Sequence, residues 1–221
     1  MFFLNFSKAV PPGADLADLL KKNTGDYTMS FGHFLDLTPQ SLGVFRLPLL
    51  GFSLAFLLGP LCNCYFRKRG SSARGNMALA AMMVVLLTCV HTAFVTFSPI
   101  ISSRGLATAI EEVYQPGNLV VVRGDYSAAS TLNFYTSIPL LLLHEPSSTL
   151  WYGSKFPDAP HVWETQASFD RLWQGPQRVF FWTDEDDPKE LGATPRYLLA
   201  RSGGKSILIN RPLPAQPIAG K

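Results

Sequence analysis

The chain has 221 residues, 47 % of them hydrophobic and 16 % charged, with mean hydropathy +0.14 and a formal net charge of +3. Soluble domains carry roughly a quarter charged residues, so the balance points to an apolar solvent. Low charge excludes a disordered chain, and the lack of a long basic run excludes a nucleic-acid partner. The charge is also uneven: residues 1–103 hold eight Lys/Arg against four Asp/Glu, and residues 104–221 hold eleven against twelve.

Residues 1–45 read as a loop outside the membrane. Met1 to Ser7 has no basic flank, a short apolar stretch and no cleavage site, so it is not a signal peptide. From Leu47 to Phe66 there are twenty residues without Asp, Glu, Lys or Arg, and from Gly75 to Ser103 there are twenty-nine, with His91 and Cys89 as titratable groups. A helix needs about 20 residues to cross the roughly 30 Å hydrocarbon layer. Both stretches qualify, and residues 46–98 are expected to form a transmembrane helical hairpin. Its connection, residues 67–75, holds Arg67, Lys68, Arg69 and Arg74 and no anion, the mark of a cytoplasmic loop. Both termini are then extracytoplasmic. Exporting a tail with Lys8, Lys21 and Lys22 without a signal leads to a further expectation, that more transmembrane helices precede Met1 in a longer protein.

Gly51, Ala55 and Gly59 recur every four residues, a spacing that lets another helix approach closely. Thr88, Thr92 and Thr96 share a face of the second span, beside His91. These faces suit helix partners better than lipid. Pro48 and Pro60 fall toward the ends of the first span, where a missing donor costs least.

Residues 99–213 read as a small extracytoplasmic α/β domain, followed by a loose tail, 214–221. Ser103 to Tyr114 has a Ser cap and helical apolar spacing, ended by Pro116-Gly117. Asn118 to Val122, Pro139 to Leu143 and Arg178 to Thr183 are buried strands. Ser130 to Tyr135 and Thr165 to Trp173 are helices. Tyr197 to Arg201 and Ser206 to Asn210 form a hairpin around Gly203-Gly204, and Asp184 to Pro188 is a solvated loop. Strands alternating with helices define an α/β layer.

The signals for chemistry are weak. Cys62, Cys64, Cys89, His91 and Met77, Met82 and Met83 contain ligands that favour Cu(I), yet nothing in the exported half feeds such a path, so no metal and no cofactor is expected. Asp184 to Asp187 lacks the spacing of a calcium loop. Gly203-Gly204-Lys205 lacks the strand–loop–helix context of a phosphate loop. His144 and His161 come with no nucleophile motif. The aromatic residues from Phe134 to Trp182 are read mainly as core or membrane-interface groups.

The run Ala9 to Ala17 (AVPPGADLA) and the run Tyr27 to Thr38 (YTMSFGHFLDLT) resemble a late extracytoplasmic loop of the bacterial polytopic membrane glycosyltransferases related to aminoarabinose transferase and protein O-mannosyltransferase, the GT-C enzymes. Phe97-Ser-Pro99, Ser102 to Ala107, Gly124-Asp-Tyr126, Ser130, Phe134-Tyr-Thr136, Tyr152-Gly-Ser154, Phe169, Trp173, Gly203-Gly-Lys205 and Ile209-Asn-Arg-Pro212 are similar to the carboxy-terminal α/β domain of that family. The resemblance implies an inner-membrane, multi-pass enzyme that takes a sugar from a polyprenyl-phosphate donor and passes it to an envelope lipid, glycan or protein. An acidic residue of the family acts as base on the acceptor, but it lies in the first extracytoplasmic loop, and nothing here matches that loop. No residue of this chain inherits the catalytic role, so the chain alone is expected to be inactive. Its partners would be the bilayer, the donor lipid and the remaining transmembrane helices. Asp36 and Arg46 are the candidate substrate-binding residues: Asp36 beside the cavity, and Arg46 at the membrane surface toward a lipid phosphate. The structural reading is the favoured one for each: Asp36 as a helix-capping or turn residue, and Arg46 as an interfacial anchor. The alternative function is a membrane-anchored, non-enzymatic binding or accessory module.

Overall fold

A computed structural model of the chain describes residues 15–20, 36–38, 41–143 and 150–213. Lys8, Lys21, Lys22, most of the two resembling runs before Asp36, His144 and the 214–221 tail lie outside the described residues. The chain divides into two units, Met1–Ser98 and Pro99–Lys221.

The first unit is built on two helices, α1 (Arg46–Lys68) and α2 (Ser72–Ile101). Both are long and apolar enough to cross a membrane, with mean hydropathy 1.7 and 2.2 over their most apolar stretch. Their outward side chains are hydrocarbon: Leu47, Leu57, Leu61, Met77, Val84, Leu87 and Phe94 are all more than half exposed. Such a surface is unstable in water and at home in lipid. Pro48 lies in the first turn of α1, where no intrahelical donor is lost, but Pro60 sits well inside the helix and leaves one carbonyl without its partner.

The connection is tighter than the charge pattern predicts: only Arg69, Gly70 and Ser71 lie between the helices. Gly70 takes a positive φ of 74° to reverse the chain. Arg67 holds the tip together, donating from Nε to Asn63 Oδ1 at 3.1 Å and from Nη2 to Asn76 Oδ1 at 3.1 Å across the turn. The small-residue stripe finds its partner inside the hairpin. A Cβ added at Gly51 would lie 2.7 Å from Cys89 Sγ, and one at Gly59 2.5–2.8 Å from three side-chain atoms of Met82. Gly51, Ala55 and Gly59 therefore let α1 and α2 approach and leave no free groove on that side. The threonine stripe differs again, because Thr88, Thr92 and Thr96 each donate to the carbonyl four residues back at 2.8 Å. Their hydroxyls are satisfied within α2 and need no second helix.

The second unit is a six-stranded sheet in the order β3-β2-β1-β4-β6-β5. Its strands are β1 (Leu119–Arg123), β2 (Leu140–Leu143), β3 (Trp163–Glu164), β4 (Val179–Thr183), β5 (Tyr197–Ser202) and β6 (Lys205–Ile209). The first four are parallel, with β1 between β2 and β4; β6 runs antiparallel to β4, and β5 to β6. Helices α3 (Arg104–Glu111), α4 (Tyr126–Thr136) and α5 (Gln166–Gln174) cover the faces. Alternation divides the core. Val120, Val122, Phe180, Trp182, Ile207 and Ile209 pack with Leu106 and Ile110 of α3 and Leu132 of α4. Val121, Val179, Phe181 and Leu208 pack on the other face with Phe169 and Trp173 of α5. Burial on both sides is why these strands read as unbroken apolar runs.

Local chemistry fixes the joints. Thr165 and Ser168 form a reciprocal capping box at the start of α5, and Asp125 caps α4 by accepting from the Ser127 N–H at 3.1 Å. That cap extends α4 by a turn beyond the predicted helix. Ser103 precedes α3 as predicted but makes no cap bond; its hydroxyl instead accepts from the buried Trp182 indole N–H at 3.3 Å. Asn210 accepts from the Val179 N–H at 3.0 Å and donates to the Trp173 and Gln177 carbonyls at 2.9 Å. The β5–β6 turn places Gly203 and Gly204 at φ 60° and 72°, the double left-handed step of a tight hairpin. A Cβ at Gly203 would lie 1.9 Å from the Pro99 carbonyl oxygen, and Lys205 Nζ donates to the same oxygen at 3.4 Å.

Gly203→Ala is expected to destabilise the second unit by more than about 3 kcal/mol, because it adds a backbone clash to an unfavourable φ. Gly117→Ala, also at positive φ but with open space around it, should cost only about 1 kcal/mol. Thermal unfolding of both variants followed by circular dichroism checks the contrast. Gly59→Leu should lower the melting point of the detergent-solubilised chain, since Met82 Cβ as well as its sulfur must move.

Candidate functional site

Two places in the described residues gather side chains in a way that exceeds packing. The first lies in the first unit. Leu37, Leu42 and Phe45, with Pro48, Leu49 and Phe52 of α1 and Cys89, Val90, Ala93, Phe94 and Phe97 of α2, line a half-open cavity of about 300 Å³. Its wall is almost entirely carbon, with one thiol. A short polar knot supports the roof: the Thr38 hydroxyl donates to the Leu19 carbonyl at 2.6 Å and accepts from the Ser41 N–H at 3.1 Å, while the Ser41 hydroxyl receives the Thr38 N–H at 2.8 Å. Asp15 caps the turn that presents Leu19, accepting from the Ala17 N–H at 3.0 Å. Phe45 and Phe97 are both buried and meet with ring centroids 6.3 Å apart at the inner wall.

Asp36 and Arg46 stand next to cavity-lining residues in sequence, Asp36 before Leu37 and Arg46 after Phe45, and neither is itself in the lining. Asp36 is 2 % exposed. Arg46 is half-buried at the first turn of α1. Each takes part in interactions of its own. A cavity of this composition accepts hydrocarbon and, apart from the Cys89 thiol, offers no group for acid–base or nucleophilic chemistry.

The second place lies at the carboxyl ends of β1 and β4. The chain runs from β1 through α4 to β2 on one face, then returns through α5 on the other face to β4. The reversal falls between β1 and β4, where open α/β sheets bind ligands. Here the crevice is filled from within. Arg123, at the end of β1, donates from Nε to Glu190 Oε1 at 2.8 Å and approaches Glu185 at 2.9 Å and Asp184 at 3.4 Å. Glu190 is 8 % exposed in its side chain. Burial by itself would lower the Arg123 pKa, but the Glu190 hydrogen bond and charge, then Glu185 and Asp184, hold it above the ordinary value. The guanidinium thus remains charged at any physiological pH.

Asp184–Asp187 is the solvated loop expected from the sequence, with all four residues exposed, and it is also paired. Asp186 pairs with Arg201 at 3.3 Å and Asp187 with Arg196 at 2.6 Å, so every carboxylate of the run faces a guanidinium. A bound cation would have to displace those partners. No group of three or more metal-ligating side chains occurs among the described residues. Cys62 and Cys64 are exposed, while Cys89 touches Gly51, eleven residues or about 16 Å of helix rise from Cys62. They share no site. The Arg123 cluster and Glu190 were missed in the sequence; the one local signal is an arginine ending an apolar strand just before Gly124-Asp125.

Arg123→Gln removes the ion pair and hydrogen bond that Arg123 gives the buried Glu190 carboxylate. Because Arg123 is itself a quarter exposed, the cost is expected at about 2 kcal/mol rather than the 3–5 of a fully buried pair. A melting point lowered by several degrees, restored in part by the double variant with Glu190→Gln, would confirm the assignment.

No protein-family model and no curated protein matches the sequence. Among solved structures, the chain is similar to the crystal structure of ArnT from Cupriavidus metallidurans in the apo state, with TM-score 0.56 and 21 % identity, covering 76 % of this chain and 32 % of that one. The same enzyme bound to undecaprenyl phosphate is matched with TM-score 0.49 and 21 % identity over 77 % of this chain and 29 % of that one. The chain therefore spans about a third of the length of that structure. The apo likeness is one of fold: an apolar helical hairpin followed by a small α/β domain, the arrangement expected from the sequence.

Proposed function

We propose that this chain is the carboxy-terminal part of an integral inner-membrane glycosyltransferase, one that takes a sugar from a polyprenyl-phosphate donor and passes it to an envelope lipid, glycan or protein. The observation that carries the reading is the fold likeness to ArnT, to which the two apolar helices and the resembling motifs add support. In this reading α1 and α2 are multi-pass spans, the Arg67–Arg74 tip is cytoplasmic, and both termini and the α/β domain are extracytoplasmic. The reacting carboxylate belongs to a part of the enzyme outside this chain.

The hydrocarbon-lined cavity suits a segment of an isoprenoid tail. Arg46, half-buried at the rim in sequence terms, would meet the donor phosphate, since guanidinium and phosphate form charge-assisted hydrogen bonds. Asp36, buried beside Leu37, would orient the polar end of the substrate. The α/β domain would cover the donor site or select the acceptor.

The test is photolabelling of the full chain in proteoliposomes with a diazirine-bearing polyprenyl phosphate. Labelled peptides should map to residues 41–52 and 89–97. Arg46→Gln should reduce labelling about tenfold, the scale of one hydrogen bond to a charged group, and Ala93→Phe should reduce it by filling the cavity. Labelling spread evenly over both helices would overturn the donor-binding reading. Sugar transfer by this chain alone would overturn the placement of the reacting carboxylate elsewhere. A native product of 24.4 kDa that takes no label would favour the accessory module instead.

A further inference from the structure

We propose that the exposed end of α4, Phe134 and Tyr135 with Arg104 beside them, is a membrane-contact patch that seats the α/β domain in the headgroup layer of an anionic bilayer. The proposal rests on the reading of α1 and α2 as membrane spans. Phe134 is 77 % exposed and Tyr135 41 %, adjacent rings in edge-to-face contact with centroids 5.2 Å apart. A lone exposed aromatic needs no explanation, but a pair on a folded helix end is a costly surface in water. The inner face of the same helix, Ala129 and Leu132, is fully buried, so the outward rings are not misplaced core.

What covers them is indicated by their neighbours within the second unit. The apolar helix α2 ends at Ile101, itself half exposed. Two residues on, the Ser103 N–H donates to Thr131 Oγ1 at 2.9 Å, one helical turn before Tyr135. Arg104 then lies over the Tyr135 ring at 5.8 Å. The aromatic end of α4 is thus pinned to the three residues by which the chain leaves its long hydrocarbon stretch. Aromatic rings gather at that depth in membrane proteins because one end is apolar and the other wet, and an arginine there attracts anionic headgroups. A protein partner would need no cation stacked on the tyrosine and no link to the end of an apolar helix.

The experiment places the photoreactive residue p-benzoylphenylalanine at position 134, and separately at position 198, in the full chain in vesicles of phosphatidylglycerol and phosphatidylcholine. Leu198 is 61 % exposed on β5, so it reports general access. Lipid adducts at 134, several-fold above those at 198, are the expected result. Arg104→Gln should cut the share of phosphatidylglycerol in those adducts by about fivefold, the effect of one cation at an anionic surface. Carbonate-resistant chain that gives no lipid adduct at 134, or only a protein adduct, overturns the patch while leaving the spans standing. Chain that carbonate extracts overturns the spans, and the patch with them.

Discussion

The parallel pairing of β1 with β4 is the constraint on which the second unit depends. Val120, Val121 and Val122 lie against Phe180, Phe181 and Trp182 in register, and none of the six exposes more than 1 % of its surface. A ladder so apolar on both sides has to be covered on both sides. That requirement explains α3 and α4 on one face and α5 on the other, and it explains why the chain must cross the sheet between β3 and β4. The reversal that results brings Arg123 to the end of one strand and Asp184 and Glu185 just beyond the other. The ion cluster is a consequence of the pairing rather than an independent device.

Several residues that carry the family resemblance have structural tasks. Gly124 turns the chain at φ 80° so that Asp125 can cap α4, Gly203 allows contact with the Pro99 carbonyl, and Asn210 ties β4 to the end of α5. Arg211 adds a bond to the Gly175 carbonyl at 2.7 Å. They specify an architecture, and the chemistry proposed here rests on other groups: the carbon wall between α1 and α2, Arg46, and the aromatic end of α4.

The elements of this fold were legible where the signal is local. Charge-free stretches marked the two helices, short apolar runs (β-branched in β1, leucine in β2, aromatic in β4) marked three strands, and paired glycines marked the β5–β6 turn. Two-residue β3 was invisible because Trp163-Glu164 has no period to detect. Helix α4 was predicted too short, since its cap at Asp125 lies four residues before the apolar spacing begins. The site was less legible. Which face of α1 meets α2 depends on Cys89 and Met82, thirty-eight and twenty-three residues from their glycine partners. The pairing of Arg123 with Glu190 spans sixty-seven. No window along the chain contains both members of such a pair, so spacing rules have nothing to act on.

The distribution of those ion pairs has a consequence for how the domain assembles. Asp184, Glu185, Asp186 and Asp187 are held by arginines from β1, from the stretch before β5 and from β5 itself. The acidic run is therefore a strap between the parallel sheet and its antiparallel edge. The share held by Arg123 forms only when β1 and β4 pair, whereas Arg196 and Arg201 meet the run from nearby in the chain. Three of these four carboxylates are more than half exposed, so salt weakens their share of the strap while leaving the apolar ladder untouched. Ionic strength thus acts on the joint between the β5–β6 edge and the parallel core more than on the buried ladders that flank it.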